Sequence, residues 1–182
     1  MYSNSEVHLI LGGARSGKSR LAQQRAEHWL QNNNAGGLAY LATATAGDEE
    51  MFSRITRHQG DRDQRWQTIE VPIALAKALD AAPHSHCVLV DCLTLWLSNC
   101  IHQGVWERER DALLQCIDLR RNDLKNSVSP WFFVSNEVGS GVVPLGQLSR
   151  EFVDAAGWLH QVLAERADSV TLAIAGLPLT VK

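Results

Sequence analysis

No surplus of positive charge marks this 182-residue chain: 17 Lys and Arg stand against 20 Asp and Glu, a net charge of −3 with neutral histidines. That balance leaves no electrostatic footprint for nucleic acid or for an anionic membrane surface. No apolar run approaches the roughly 18 residues that span a bilayer. The first apolar run, at 7–11, is short and follows no basic region, so no secretory leader is expected. The cysteines, Cys87, Cys92, Cys100 and Cys116, form no C-x-x-C pair and no Cys/His quartet spaced for zinc. They read as reduced structural residues of a cytoplasmic protein, a catalytic thiol being the other reading. Repeats, low-complexity tracts and linkers are also absent. One domain over 1–182 is expected, large enough to bury a substantial core.

What is present is an alternation of strand and helix patterns. Apolar β-type runs lie at 7–11, 38–42, 68–71, 86–91, 131–135 and 170–175, and 180–181 is read as an antiparallel edge. Helical periodicity lies at about 16–31, 49–59, 72–82, 93–102, 106–126 and 148–166, with Pro72 suited to a first turn. Most strands are continuously apolar, which predicts a mostly parallel sheet with helices on both faces, a three-layer α/β fold.

Gly12, Gly13, Ala14, Arg15, Ser16, Gly17, Lys18 and Ser19 spell a complete G-x-x-x-x-G-K-S phosphate loop between the first strand and the first helix. The glycines let the backbone approach a polyphosphate, and the loop amides form an anion nest at a helix N-terminus. Lys18 is placed to reach the β- and γ-phosphates and Ser19 to ligate Mg²⁺. The fold expected is therefore of the P-loop NTPase type. A regulatory GTPase would read guanine with Asn-Lys-x-Asp, which is absent, and the D-x-x-G at 154–157 falls inside a late helix. Group transfer is favoured over a switch.

Three further regions carry chemistry, each with two readings. Asp91 ends an apolar strand, where a carboxylate holds Mg²⁺ beside the loop serine, or it caps the following helix. Arg54 and His58 are i and i+4 on a helical pattern, with Arg57, Arg62 and Trp66 nearby. They gather on a phosphate, the imidazole acting as nucleophile or acid–base group, or they form a solvated face. The segment 136–144 follows a strand, so Asn136 and Glu137 face the crevice of the phosphate loop. There Glu137 serves as base or hydrogen-bond acceptor, or the segment is only a glycine turn.

The ordered set of the phosphate loop, Arg54-Ile55-x-x-His58 with Arg62 and Trp66, Asp91-Cys92-Leu93-Thr94, Asn136-Glu137-Val138-Gly139-x-Gly141-x-Val143-Pro144, and Phe152-x-Asp154-x-x-Gly157 spans nearly the whole chain. It resembles the bifunctional adenosylcobinamide kinase / adenosylcobinamide-phosphate guanylyltransferase family of cobalamin biosynthesis. The resemblance implies phosphorylation of the aminopropanol hydroxyl of adenosylcobinamide by ATP or GTP. It then implies transfer of GMP from GTP to the resulting phosphate through a guanylylated histidine, which falls on His58. Implied nucleotide contacts are 12–19, Thr43, Ala44, Thr45, Gln59, Gly60, Asp61, Arg62, Glu70 and Asp91, with Mg²⁺ on Ser19 and Asp91. Asn136, Glu137 and Arg54 are assigned to the acceptor side, and Glu137 and Asp91 are the candidate bases of the kinase step.

The resemblance also implies a homotrimer with sites between subunits; from the charge balance and the absence of a long apolar run, no nucleic-acid partner and no membrane span are expected. Two positions depart from it: Asp91 where some relatives carry Glu, and His160 where some carry Asn. The rival readings are a P-loop kinase of another small alcohol and a GTP-binding regulatory protein.

Overall fold

The computed structural model describes residues 6–33, 36–44, 65–123 and 129–182. In chain order its elements are β1 (Val7–Gly12), α1 (Lys18–Gln31), β2 (Gly37–Ala42), β3 (Trp66–Glu70), α2 (Leu75–Ala81), β4 (His86–Asp91) and α3 (Leu93–His102). They continue with α4 (Trp106–Asn122), β5 (Trp131–Asn136), α5 (Gln147–Arg166), β6 (Ser169–Ile174) and β7 (Leu177–Thr180). The strands form one sheet in the order β3-β2-β4-β5-β1-β6-β7, parallel except for the antiparallel β7.

Side chains alternate across the sheet with a period of two, so the inner strands β1, β2, β4 and β5 each feed two cores. One core joins Ile10, Leu38, Leu89 and Phe132 to Ala22, Ala26 and Trp29 of α1. The other joins Leu9, Leu41, Val90 and Phe133 to Leu75 and Leu79 of α2, Trp96 of α3, Leu113 and Ile117 of α4, and Leu159 and Leu163 of α5. Helices thus cover both faces, and the fold is the expected three-layer P-loop NTPase type.

Local differences from the sequence reading have local causes. The first helix begins at Lys18 because Gly17, at φ 90, still belongs to the loop. Pro72 lies ahead of α2 rather than in its first turn: Asn99 Nδ2 donates to the Pro72 carbonyl (3.1 Å) and Trp96 Nε1 to that of Ile73, which hold the approach outside the helix. β3 starts at Trp66, whose ring is buried against Tyr40. The helical pattern at 49–59 lies outside the described residues.

Strand β1 buries a titratable residue. His8 is 1% exposed, stacks on Phe132, and its Nδ1 lies 2.7 Å from Ser169 Oγ. Burial pulls its imidazole down to about 4, against the opposing pull of Glu6. The fold therefore favours the neutral ring. Between pH 6.5 and 4 the unfolded chain takes up a proton that the folded chain refuses, and stability falls with falling pH. The loss from this group approaches about 3 kcal/mol by pH 4. Urea unfolding at pH 7 and pH 4.5 should show a steeper acid loss in the wild type than in His8→Gln; equal slopes in the two proteins reject this origin.

Candidate nucleotide site

The phosphate loop connects the interior strand β1 to α1. Arg15 (φ 57) and Gly17 (φ 90) lie in the left-handed region, a geometry that turns successive amides toward one concavity. Gly12 admits no side chain: a Cβ there would sit 2.4 Å from Ser16 Oγ and 2.7 Å from the Ala173 carbonyl oxygen. Lys18 is buried, and its Nζ donates to the Gly13 carbonyl (3.0 Å), which keeps the ammonium over the loop. Ser19 follows in the first turn of α1.

The tight turn between β6 and β7 props this loop. Ala175 (φ 52) and Gly176 (φ 81) form its two central residues, the left-handed pair that matches hairpin twist. Gly176 N–H donates to the Ser16 carbonyl (2.9 Å), and a Cβ on Gly17 would come within 3.0 Å of Gly176 Cα. Glycine faces glycine where both backbones take a positive φ and approach closely.

On the other side of β1 stands β5, not β4. Gly12 pairs with Asn136, and Glu137 N–H donates to the Gly12 carbonyl (3.0 Å). Asp91 ends β4 one strand further out, opposite Val134. The Tyr40 hydroxyl donates to Asp91 Oδ2 (2.8 Å) and so sets the direction of that carboxylate. Tyr40 is itself backed by Trp66, whose Nε1 donates to Glu27 Oε1 (3.1 Å). Thr94 links the strand ends: its Oγ1 accepts from Asn136 Nδ2 (3.1 Å) and lies 3.1 Å from Cys92 Sγ.

Glu137 is held at both oxygens. Oε1 accepts from Gly139 N–H (2.7 Å), and Oε2 lies 3.9 Å from His160 Nδ1. His160 Nε2 lies 2.7 Å from Ser135 Oγ. Burial lowers the His160 imidazole below its ordinary value, and the Glu137 carboxylate opposes that shift.

The carboxyl edge of the sheet thus gathers residues 12–19, Asp91, Asn136 and Glu137 in one region. Thr43 and Ala44 follow β2. The Thr43 hydroxyl donates to the Cys92 carbonyl (2.7 Å) and accepts from its N–H (2.8 Å), while Asn99 Nδ2 donates to the Thr43 carbonyl (2.9 Å). Thr43 therefore braces the ends of β2 and β4. Glu70 ends β3, four strand spacings from β1, roughly 19 Å across the sheet. Thr45, Arg54, His58, Gln59, Gly60, Asp61 and Arg62 lie outside the described residues.

Three contributors escaped the sequence reading. Tyr40 is a phenol within an apolar strand, and that lone polar tip was its signal. Thr94 sits in the Asp91-to-Thr94 motif but shows its role only through Asn136. The turn at Ala175 and Gly176 was visible only as a glycine between two apolar runs.

Among the described residues no three His, Cys, Asp or Glu side chains gather as a metal cluster. A Ser hydroxyl and an Asp carboxylate still suit Mg²⁺, a hard cation that binds few protein oxygens and completes its shell with phosphates and water. Among the same residues no helix is long and apolar enough to cross a membrane.

A family model described as cobinamide kinase / cobinamide phosphate guanyltransferase matches residues 8–181. The bifunctional adenosylcobalamin biosynthesis protein CobP of Pseudomonas aeruginosa is 51% identical over 178 residues, with 96% of each chain covered. The Escherichia coli protein CobU of the same description is 32% identical over 184 residues, covering 96% of this chain and 98% of its own. Among solved structures, the flagellar accessory protein FlaH from Methanocaldococcus jannaschii aligns with a TM-score of 0.55 at 13% identity, over 99% of this chain and 79% of FlaH, a likeness of fold alone.

Proposed function

Because the chain belongs to the cobinamide kinase / cobinamide phosphate guanyltransferase family, we propose that it performs both reactions of that family at the one nucleotide site built on residues 12–19. The observation that carries this is the phosphate loop at the sheet edge with Asp91, Asn136 and Glu137 at neighbouring strand ends. One domain over 1–182 serves both steps.

In the first reaction the loop amides and Lys18 hold the β- and γ-phosphates of ATP or GTP. The aminopropanol hydroxyl of adenosylcobinamide attacks the γ-phosphorus, the nucleoside diphosphate leaves with the β,γ-bridging oxygen, and Glu137 takes the hydroxyl proton; Asp91, tied to Tyr40, is the weaker candidate. In the second, an imidazole nitrogen of His58 attacks the α-phosphorus of GTP. The bond to the bridging oxygen breaks and pyrophosphate leaves with that electron pair. The phosphate of adenosylcobinamide phosphate then attacks the same phosphorus and frees the imidazole, giving adenosylcobinamide-GDP. Two easier displacements replace one.

Ser19 and Asp91 would hold Mg²⁺, which neutralises charge on the phosphate oxygens when bound. Ala44, Thr45, Gln59, Gly60, Asp61 and Arg62 complete the nucleotide pocket. Glu70, on the distant edge strand, falls to the nucleoside end. Asn136 and Arg54 take the acceptor side. A cytoplasmic homotrimer belongs to the same reading.

Incubation with adenosylcobinamide, GTP and Mg²⁺ should yield first adenosylcobinamide phosphate and then adenosylcobinamide-GDP with pyrophosphate, followed by mass spectrometry. A product that stops at the phosphate rejects the second reaction; no turnover of adenosylcobinamide rejects both.

A further inference from the structure

Ser135, His160 and Glu137 form a line from the core to the edge of the site. Ser135 is fully buried on β5, His160 is 8% exposed on α5, and Glu137 is 30% exposed just beyond β5. A neutral imidazole carries one N–H. If it sat on Nε2, the Nδ1 lone pair would face the Glu137 carboxylate. With the Ser135 hydroxyl donating to Nε2 instead, Nδ1–H faces Oε2, and the charges agree. At 3.9 Å this is an electrostatic contact rather than a hydrogen bond, a looseness common in catalytic sites without substrate.

We propose that His160 is a positioning residue for phosphoryl transfer: its Nδ1–H, turned outward by Ser135, keeps the Glu137 carboxylate aimed at the acceptor hydroxyl. This rests on the reading of Glu137 as proton acceptor of the kinase step. In that step the acceptor oxygen bonds to the γ-phosphorus. The bond from the γ-phosphorus to the β,γ-bridging oxygen breaks, and the nucleoside diphosphate leaves with that electron pair. The hydroxyl proton passes to Glu137 and then to water. His160 keeps its own proton throughout.

Two substitutions separate the halves of this line. Asn places an amide nitrogen at the δ position, so His160→Asn keeps a donor toward Glu137 and gives up Ser135. Gln places its amide at the ε position, so His160→Gln keeps Ser135 and gives up the donor toward Glu137. In His160→Gln, kcat for phosphorylation of adenosylcobinamide is expected to fall roughly 10- to 100-fold with KM little changed, as when an outer partner of a reacting group is lost. His160→Asn should stay within about threefold of wild type by the same logic. A structural anchor would give the opposite order, and that order, or equal losses, overturns the proposal.

A double-mutant cycle keeps the test decisive even if a variant melts early. On a Glu137→Gln background, His160→Gln should cost nothing further in kcat, because the group it positions is gone. Additive losses reject the coupling. If Glu137→Gln alone leaves kcat unchanged, the reading of Glu137 fails and the inference with it. A Glu137→Gln defect beside an unaffected His160→Gln removes the inference alone.

Discussion

The His58→Ala protein, mixed with labelled GTP and Mg²⁺, is expected to form no covalent adduct, whereas the wild type forms one that is labile to acid and stable to base. A phosphoramidate has that signature because protonation of the ring nitrogen makes imidazole a good leaving group. The drop in adduct should be at least about 10³-fold, since Ala offers no nucleophile and water cannot leave GMP on the protein. Phosphorylation of adenosylcobinamide should persist within about tenfold, since the hydroxyl attacks the γ-phosphorus without a covalent intermediate. An adduct that survives in His58→Ala removes His58 from the reaction. Loss of both activities would instead make His58 a binding residue.

Lys18→Ala is expected to give the complementary result, loss of both activities together. The ammonium lies buried over the loop at 3.0 Å from the Gly13 carbonyl. On the proposed function both steps draw on positive charge there. Attack at the γ-phosphorus drives charge toward the β-phosphate, and attack at the α-phosphorus drives it onto departing pyrophosphate. Removing one such preorganised charge costs about 10²–10³-fold or more in kcat. Steady-state assays of each half-reaction, run separately, check this. Retention of either one within tenfold would show that the two reactions do not share the phosphate grip. Together the two variants would divide the chemistry: on the proposed function, His58 separates the reactions and Lys18 joins them.

The fold was legible where burial acts on consecutive residues. β4 (His86–Asp91) matches its sequence boundaries because a strand covered on both faces reads as an unbroken apolar run ending at a charge. The hairpin edge was also visible, although it forms at Leu177–Thr180, before the segment read at 180–181. Strand order was not legible. Asp91 reads as the neighbour of the phosphate loop, yet β5 stands between them, and only contacts between distant segments decide that. Pro72 looked like a first-turn proline because the sequence does not reveal that Asn99 and Trp96 hold its surroundings. The same limit hid Tyr40 and Thr94, whose partners lie 51 and 42 residues away. At the site, residue types were readable and their mutual aim was not.

The prop beneath the phosphate loop sets an order of events during synthesis. β1 emerges early, but its flanking strands β5 and β6 come more than a hundred residues later, and Val7 N–H is held by Asp168 across 161 positions. The turn at Ala175 and Gly176 that seats Ser16 follows later still. At about 5–20 residues per second, the loop sequence waits roughly 8–30 s on the ribosome before its support exists. The nucleotide grip is translated well before the strands and the turn that complete it, and a product cut short between them carries the motif without the site.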